Sequence, residues 1–345
     1  MIKGIARLAT ELGVSTATVS RALNGKSDVN GATRTRVLEA ASRLGYAANA
    51  SARSLAKGAT NSVGFMVELN SGTTRSDNFF MGVFDGVQDV LGRHDLELVV
   101  LPCPTSKDPY AYLQRFVARN AVDAMIISAT QRVDPRIELL QQRSIPFVAI
   151  GRSTSGTGYS WIDLDFEGVI KAAIDRFVAQ GHRRIAITVP LSQINFAYLI
   201  RDSYRRTIRR HGLKLDPDLM LVTAWGEEGG YDLGSAVFAL KEPPTAVLLM
   251  YETMTVGLYR RMRELKKRPG RDLAIIAFRD EPGIGYLSPS VTRFNLSLHE
   301  LGVAVAEAVL AQMPAYREHY PEGIVQRRWP LQLTVGESDG GAALG

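Results

Sequence analysis

Seven short apolar runs alternate with amphipathic segments, and this alternation constrains the fold more than any other feature of the chain. The runs are SVGFMVE, LELVVLP, AMIIS, PFVAI, RRIAITV, AVLLM and LAIIAF, all beyond residue 61. Nearly continuous Val, Ile and Leu favour strands buried on both faces, and intervening helices favour parallel pairing. We therefore predict a body of α/β class with enough strands for two parallel sheets.

The first sixty residues have a different character. They carry nine Lys or Arg and three Asp or Glu, and the difference of six equals the net charge of +6 of the whole 345-residue chain. A small basic module beside a neutral body favours a polyanionic partner, although charge alone is equally compatible with a solvated positive face.

Helical spacing of apolar residues organises the basic module. A first short helix is predicted over residues 5–12, Gly13 supplies a turn, and Ser15 is suited to cap a second helix over residues 16–23. A third helix is expected to end at Gly45. Two helices joined by a tight turn, the second with a short polar outer face, indicate a helix-turn-helix.

Two further segments of the module admit more than one interpretation. Gly25-Lys26-Ser27 looks like the end of a phosphate-binding loop, but Ser20 stands where such a loop needs glycine, so a turn is favoured. The segment NASARSLAKG, residues 49–58, is shorter than the ~12–15 residues that an isolated helix needs in water. We expect it to be helical only when paired with a second copy or bound to DNA.

The strings GVSTATVSRALNG, VLEAASRLGY and NASARSL resemble the LacI/GalR family of bacterial transcription regulators. Similar runs in the body are DNFFMGVFDGVQDVL, QGHRRIAI, PPTAVLLMYETMTVGL and DLAIIAFRDEPGIGYLSPSVT. The resemblance implies an all-α helix-turn-helix of three helices plus a hinge helix, then a two-lobed α/β domain like a periplasmic binding protein, with parallel sheets. It places the DNA-binding domain at 1–46, the hinge and linker at 47–60, one lobe at 61–158 and 293–322, the other at 159–292 and 323–337, and a flexible tail at 338–345.

The resemblance also implies two sets of binding residues. The expected DNA contacts are Thr16, Ala17, Thr18, Ser20, Arg21 and Asn24, with Asn49, Ala52 and Leu55 in the hinge, where Leu55 matches a minor-groove wedge. The expected effector contacts in the cleft are Phe80, Ser128, Asn195, Arg201, Trp225, Tyr251 and Asp280. Core positions for Phe80 and Trp225, and an exposed loop position for Asp280, remain alternatives.

Departures from the family pattern fall in this cleft. Tyr251-Glu252 replaces a usual Asn-Asp pair, and Arg279-Asp280 replaces a usual Asp-Asp pair. Two arginines near the cleft would suit an acidic or phosphorylated ligand, whereas a neutral sugar is the family default. Both ligand classes stay open from sequence.

The resemblance implies a cytoplasmic DNA-binding regulator, and we expect a repressor modulated by a sugar or sugar derivative. A homodimer on a pseudo-palindromic double-stranded DNA operator follows from one reading module per chain. An activator of the same architecture is an alternative.

Rival classes are less well supported. A periplasmic solute-binding protein should carry a signal peptide and lack residues 1–60, and a nucleotide-dependent enzyme should carry GxGxxG or a complete phosphate loop. The sequence has no HExxH, GxSxG or Cys/His cluster, no apolar run of 18 residues, and the single cysteine Cys103. We therefore expect neither an enzyme nor a membrane protein, and no metal or cofactor.

Overall fold

The computed structural model describes residues 5–23, 28–44, 59–69, 79–104, 106–190 and 193–340. These residues form two compact units, which divide between Asn61 and Ser62. Asn24, the Gly25-Lys26-Ser27 turn and the predicted hinge segment lie outside the described residues.

The described part of the first unit contains the three helices predicted before the hinge segment. They are α1 (Ile5–Leu12), α2 (Thr16–Leu23) and α3 (Gly31–Arg43). Gly13 adopts a φ of +66°, which a turn between two helices requires and which glycine tolerates best. The Ser15 hydroxyl accepts a hydrogen bond from the Thr18 amide at 3.0 Å and so caps α2. The buried core of this unit consists of Leu8, Ala9, Val19, Ala22, Val37, Ala40 and Ala41.

The second unit contains two six-stranded sheets. The first sheet consists of β1 (Ser62–Glu68), β2 (Glu97–Cys103), β3 (Ala124–Ile127), β4 (Phe147–Ile150), β5 (Ser160–Leu164) and β11 (Gln326–Trp329). Its strands lie in the order β11-β5-β4-β3-β1-β2, and all pairs are parallel. The predicted parallel α/β class is confirmed for this sheet.

The second sheet repeats the design with one reversed strand. It consists of β6 (Ile185–Pro190), β7 (Met220–Thr223), β8 (Ala246–Leu249), β9 (Ala274–Ala277), β10 (Thr292–Asn295) and β12 (Gln332–Thr334). The order is β12-β10-β9-β8-β6-β7, and only β12 runs antiparallel to its neighbour among the described strands. Strands β8 and β9 are fully buried along their length, which explains their continuous apolar sequences.

Eight helices of the described chain cover the two sheets. Those beside the first sheet are α4 (Phe79–Gly92), α5 (Pro109–Val117), α6 (Pro135–Gln142) and α11 (Leu298–Leu310). Those beside the second sheet are α7 (Phe166–Ala179), α8 (Asn195–Arg210), α9 (Gly226–Ala239) and α10 (Met254–Glu264). Within the described ranges, no helix is long and apolar enough to cross a bilayer.

The chain passes between the two sheets three times. It leaves the first sheet after β5, returns after β10 through α11, and leaves again between β11 and β12. The observed exchanges therefore lie a few residues later in the chain than the predicted positions near residues 159, 292 and 323. Strand β5 and strand β11 lie in the first sheet, and not in the lobe assigned to 159–292 and 323–337. Each exchange follows a completed strand, because a strand that left its sheet midway would leave backbone groups unpaired.

Candidate functional site

A cavity of about 170 Å³ lies where the carboxyl ends of strands from both sheets meet. Residues at or just beyond the ends of β1, β3, β4 and β5 form one wall, and residues beyond β6, β7, β8 and β9 form the other. Ligands of open parallel sheets bind at this edge of the strands. The cavity is therefore the candidate effector site.

Aromatic rings form much of the wall from the second sheet. Trp225 lies 4.9 Å from Tyr251 and 5.8 Å from Phe196, measured between ring centroids. Phe166 stacks between Phe196 at 5.4 Å and Phe278 at 5.0 Å. All five rings line the cavity, so this wall is largely aromatic and suits a ligand with an apolar face.

A buried ion pair lies beside these rings. The Arg279 guanidinium donates a hydrogen bond to Glu252, and the two side chains are only 7% and 2% exposed. The same guanidinium stands 5.0 Å over the Phe79 ring, which belongs to α4 of the other wall. Arg279 thus connects the two sides of the cavity, through its ion pair with Glu252 on one side and its cation–π contact with Phe79 on the other.

A second charged group lies at the first exchange between sheets. Arg152 forms an ion pair with Glu167 and has its Nε 3.2 Å from Asp163 Oδ2, without the alignment of a hydrogen bond. The Asn195 side-chain amide donates to the Arg152 carbonyl at 2.7 Å. Burial, and to a lesser degree the nearby Glu167, raise the pKa of Asp163 to about 7 although Arg152 opposes the shift.

This raised pKa predicts a pH dependence of stability. Between its ordinary value of 3.8 and about 7, Asp163 holds a proton in the folded chain that the unfolded chain has lost. The free energy of unfolding therefore falls as pH rises through this window, by at most about 1.4 kcal/mol per unit from this group. We expect Asp163→Asn to remove that slope in urea unfolding between pH 5 and 8.

The exposed Asp202 provides the matched control for this change. Its replacement by Asn should leave the slope of the unmodified chain unchanged. An Asp163→Asn variant with the original slope would contradict the assignment of the titration to Asp163.

Five of the seven predicted effector residues line the cavity. They are Phe80, Ser128, Asn195, Trp225 and Tyr251. Arg201 lies behind the wall, where its guanidinium donates to the Pro190 carbonyl at 3.4 Å. Whether any of the five contacts a ligand stays a prediction.

Asp280 does not line the cavity, and its predicted place is taken by Arg279. The Asp280 carboxylate pairs with Arg293 of β10 and accepts a hydrogen bond from the Glu281 amide at 3.0 Å. The chain bends after the strand that ends at Ala277, and Phe278 and Arg279 line the cavity, whereas the ion pair with Arg293 holds the Asp280 side chain away from it.

The sequence did not single out several charged residues that the fold brings to the cavity. These are Glu68, Arg152 and Asp163, which join Glu252 and Arg279, two residues already noted as departures from the family pattern in the cleft. Each stands at or just beyond the carboxyl end of a strand, and that position was a usable signal. In the described chain, no three His, Cys, Asp or Glu side chains are grouped so as to hold a metal.

Helix α2 carries the second candidate site, in the first unit. Thr16, Ala17 and Arg21 are exposed, whereas Thr18 and Ser20 are half-buried. Arg21 lies 3.6 Å from the exposed Asp28, a weak pairing that leaves it available to an external anion. This face fits the short polar surface expected of a helix that enters the major groove.

Two different protein families match the two units of the chain. Residues 1–49 match the bacterial regulatory proteins of the lacI family, and residues 174–338 match the periplasmic binding protein-like domain. The HTH-type transcriptional regulator AglR of Rhizobium meliloti is 34% identical over 342 residues, covering 97% of this chain and 94% of that protein. The regulator RafR of Escherichia coli is 35% identical over 246 residues, covering 70% of each.

Solved structures show the same architecture. The lac repressor dimer bound to operator and the anti-inducer ONPF superposes with a TM-score of 0.82 at 22% identity, covering 97% of this chain and 98% of that one. A complex of the regulator CelR with cellobiose gives a TM-score of 0.72 at 23% identity, covering 98% and 100%. The similar proteins are named as regulators of transcription rather than as enzymes.

Proposed function

The chain belongs to the LacI family of bacterial DNA-binding transcriptional regulators, and from this premise we propose that it is a repressor whose affinity for its operator is set by a neutral carbohydrate. The observation that carries the proposal is the cavity between the two sheets, with its aromatic wall and its internally paired charges. Similarity to proteins named as repressors, such as PurR of Haemophilus influenzae at 26% identity, supports repression.

The aromatic wall supports a carbohydrate ligand. Sugar rings present flat C–H faces that stack against aromatic side chains, while their hydroxyls need hydrogen-bonding groups at the edges. The cavity supplies both, because Trp225 and Tyr251 line it together with the polar side chains of Asn195 and Arg279. Related folds bind such molecules: the CelR structure contains cellobiose, and a LacI-family regulator from Enterococcus faecium contains ribose.

The charges of the cavity favour a neutral ligand over an acidic one. Three of its lining residues are carboxylic acids (Glu68, Asp163 and Glu252), and two are arginines (Arg152 and Arg279). Both arginines already pair with carboxylates. A phosphate would therefore enter a site that offers it no surplus positive charge, and its desolvation would be poorly compensated.

Regulation follows from the two-walled cavity. A ligand that binds one arrangement of the lobes better than the other shifts the population toward it, by no more than the difference in affinity. We propose that two copies of the chain bind as a homodimer to a pseudo-palindromic operator, each through the exposed face of α2. A regulator of transcription acts where the DNA lies, so we propose that it works in the cytoplasm, at the nucleoid.

Calorimetry with neutral mono- and disaccharides and with their phosphates tests the effector class. We expect at least one neutral sugar to bind and to change operator affinity in a parallel DNA titration. Binding of the phosphates alone would overturn the neutral class, and silence of both classes would overturn a carbohydrate effector altogether.

Arg21→Ala tests the DNA-reading face. Loss of this exposed cation should cost about 1–3 kcal/mol of operator affinity if it contacts a base, and should reduce the salt slope by about one if it contacts phosphate. Titrations on operator and on random DNA at several salt concentrations distinguish the two contacts. Arg119→Ala removes the same charge from an exposed position in the second unit and should change neither quantity. Operator binding by Arg21→Ala that equals that of the Arg119→Ala control would contradict the assignment of α2.

A further inference from the structure

Arg136 is the largest fully buried side chain of the chain's described core, with 1% exposure, and it lies behind the cavity wall of the first sheet. Its Nε donates to Asp134 Oδ1 at 2.9 Å, and its Nη2 donates to Asp134 Oδ2 at 2.7 Å. Its Nη1 donates to Glu68 Oε1 at 2.7 Å. One guanidinium therefore fixes two carboxylates in a geometry that a lysine could not reproduce.

The same guanidinium holds a strained piece of backbone. Nη2 also donates to the carbonyls of Ser128 and Ala129, at 3.1 and 3.2 Å. Ala129 has a φ of +53°, a left-handed conformation that costs an L-residue about 1–2 kcal/mol. Both residues line the cavity, so Arg136 sets the shape of this stretch of the wall.

Glu68 is the member of this network that reaches the cavity. It is the last residue of β1, is 12% exposed and lines the cavity. A carboxylate has about four acceptor sites, and the bond from Arg136 occupies one of them. Glu68 is therefore held in place by its neighbour and retains capacity to accept further hydrogen bonds.

We propose that Glu68 binds the effector by accepting hydrogen bonds from its hydroxyl groups, and that Arg136 is the positioning residue that aims Glu68 and shapes the adjoining loop. This assignment rests on the proposed function, since it presumes a polyhydroxylated effector in the cavity. It adds a charged contact from the first sheet to a site whose predicted polar contacts, apart from Ser128, come from the second.

A purely structural role explains the network less well. Burying a charged pair costs free energy that its mutual attraction does not reliably recover, and well-packed apolar residues often stabilise such a position better. Burial also raises the pKa of Glu68, although Arg136 opposes the shift. A desolvated carboxylate at a cavity wall gains most when a ligand supplies hydrogen-bond donors in place of water.

Glu68→Ala is the direct test. A panel of neutral mono- and disaccharides is first titrated into the full-length chain by calorimetry, and the tightest binder becomes the probe. We expect Glu68→Ala to weaken the probe roughly 10- to 100-fold, the range for a hydrogen bond to a charged group, and Glu68→Gln to weaken it less. The control Glu97→Gln alters an exposed carboxylate of the neighbouring strand and should bind normally.

Monodeoxy derivatives of the probe separate direct contact from indirect distortion. The derivative that lacks the contacted hydroxyl should bind the unmodified chain more weakly, yet bind Glu68→Ala as well as the parent sugar does. Distortion of the site would instead weaken every derivative by a similar factor in the variant.

The positioning role of Arg136 has its own signature. Among the described residues, the titratable groups that act on Glu68 are Arg136, Asp134 and Asp108, which cap α6 and α5, and the buried neutral thiol of Cys103 on β2. Arg136→Gln removes the one cation among them, so the pKa of Glu68 should rise further. Probe affinity, which requires the carboxylate, should then be lost at a higher pH than in the unmodified chain. Arg136→Lys retains the charge and should restore most of the original pH profile.

Each result bears on a different statement. If no sugar of the panel binds the unmodified chain, the carbohydrate function and this inference both fall. If a sugar binds and Glu68→Ala binds it equally well, only the role of Glu68 is overturned. If Arg136→Gln folds and its probe affinity depends on pH as in the unmodified chain, the positioning role is overturned. Glu68→Gln provides the reference, because it shows the pH dependence of probe affinity without this carboxylate.

Discussion

Replacing Arg279 by Leu should lower the free energy of unfolding by about 3–5 kcal/mol, because it deprives the buried carboxylate of Glu252 of its cation. The effect should be visible as a lower midpoint in urea unfolding at unchanged slope. Carbohydrate binding should weaken in the same variant, since the guanidinium lines the cavity and stands over Phe79.

Two controls make this prediction sharp. Arg93→Leu breaks an exposed pair with Asp89 on α4 and should cost less than about 1 kcal/mol. The double variant Arg279→Leu with Glu252→Leu removes both charges and should recover most of the lost stability. A single variant that loses no more than the Arg93→Leu control would show that the Glu252 charge is compensated elsewhere.

Gly86→Ala should be nearly as destabilising, for a steric reason. A Cβ at this position of α4 would stand 2.0 Å from the His299 carbonyl oxygen of α11 and 2.8 Å from the Val303 amide nitrogen. Because both obstacles are backbone atoms, the two helices must separate. We expect a loss of about 3 kcal/mol, at the upper end for overpacking.

The same helix offers the control for Gly86. Gly92 ends α4, and a Cβ there would approach only the Gln88 side chain, at 3.9 Å. Gly92→Ala should therefore be neutral or slightly stabilising in the same urea experiment. Because α4 also carries Phe80 to the cavity, Gly86→Ala should in addition weaken sugar binding, whereas Gly92→Ala should not. Equal stability of the two variants would contradict the close helix contact.

The fold was predictable where local pattern and burial agree. The three helices of the first unit follow from apolar spacing, and the long apolar runs became central strands such as β8 and β9. Strands β10, β11 and β12 escaped the pattern, because TRFN, QRRW and QLT lie at or next to a sheet edge and are polar. Their pairing depends on tertiary position, which a short polar segment does not reveal.

The residues of the cavity also divide into those that the sequence predicted and those that it did not. Aromatic positions such as Phe80 and Tyr251 were predicted at the cavity because they lie in runs that resemble the family. Asp280 was predicted to contact an effector but does not line the cavity, because it pairs with Arg293 of β10, a contact between separate segments that the sequence does not reveal. Arg136 was missed because its role depends on Glu68, Asp134 and two carbonyls that are distant from one another or unremarkable in sequence.

The three exchanges between the sheets constrain how the second unit can move. Strands β5 and β11 are neighbours at one edge of the first sheet, and β10 and β12 are neighbours at one edge of the second. The three segments that connect the sheets therefore leave and enter neighbouring strands and lie side by side. We expect three adjacent connections to resist sliding and twisting of the lobes more than rotation about the line on which they lie. Under the proposed function, we therefore expect a ligand in this cavity to act on that single angle.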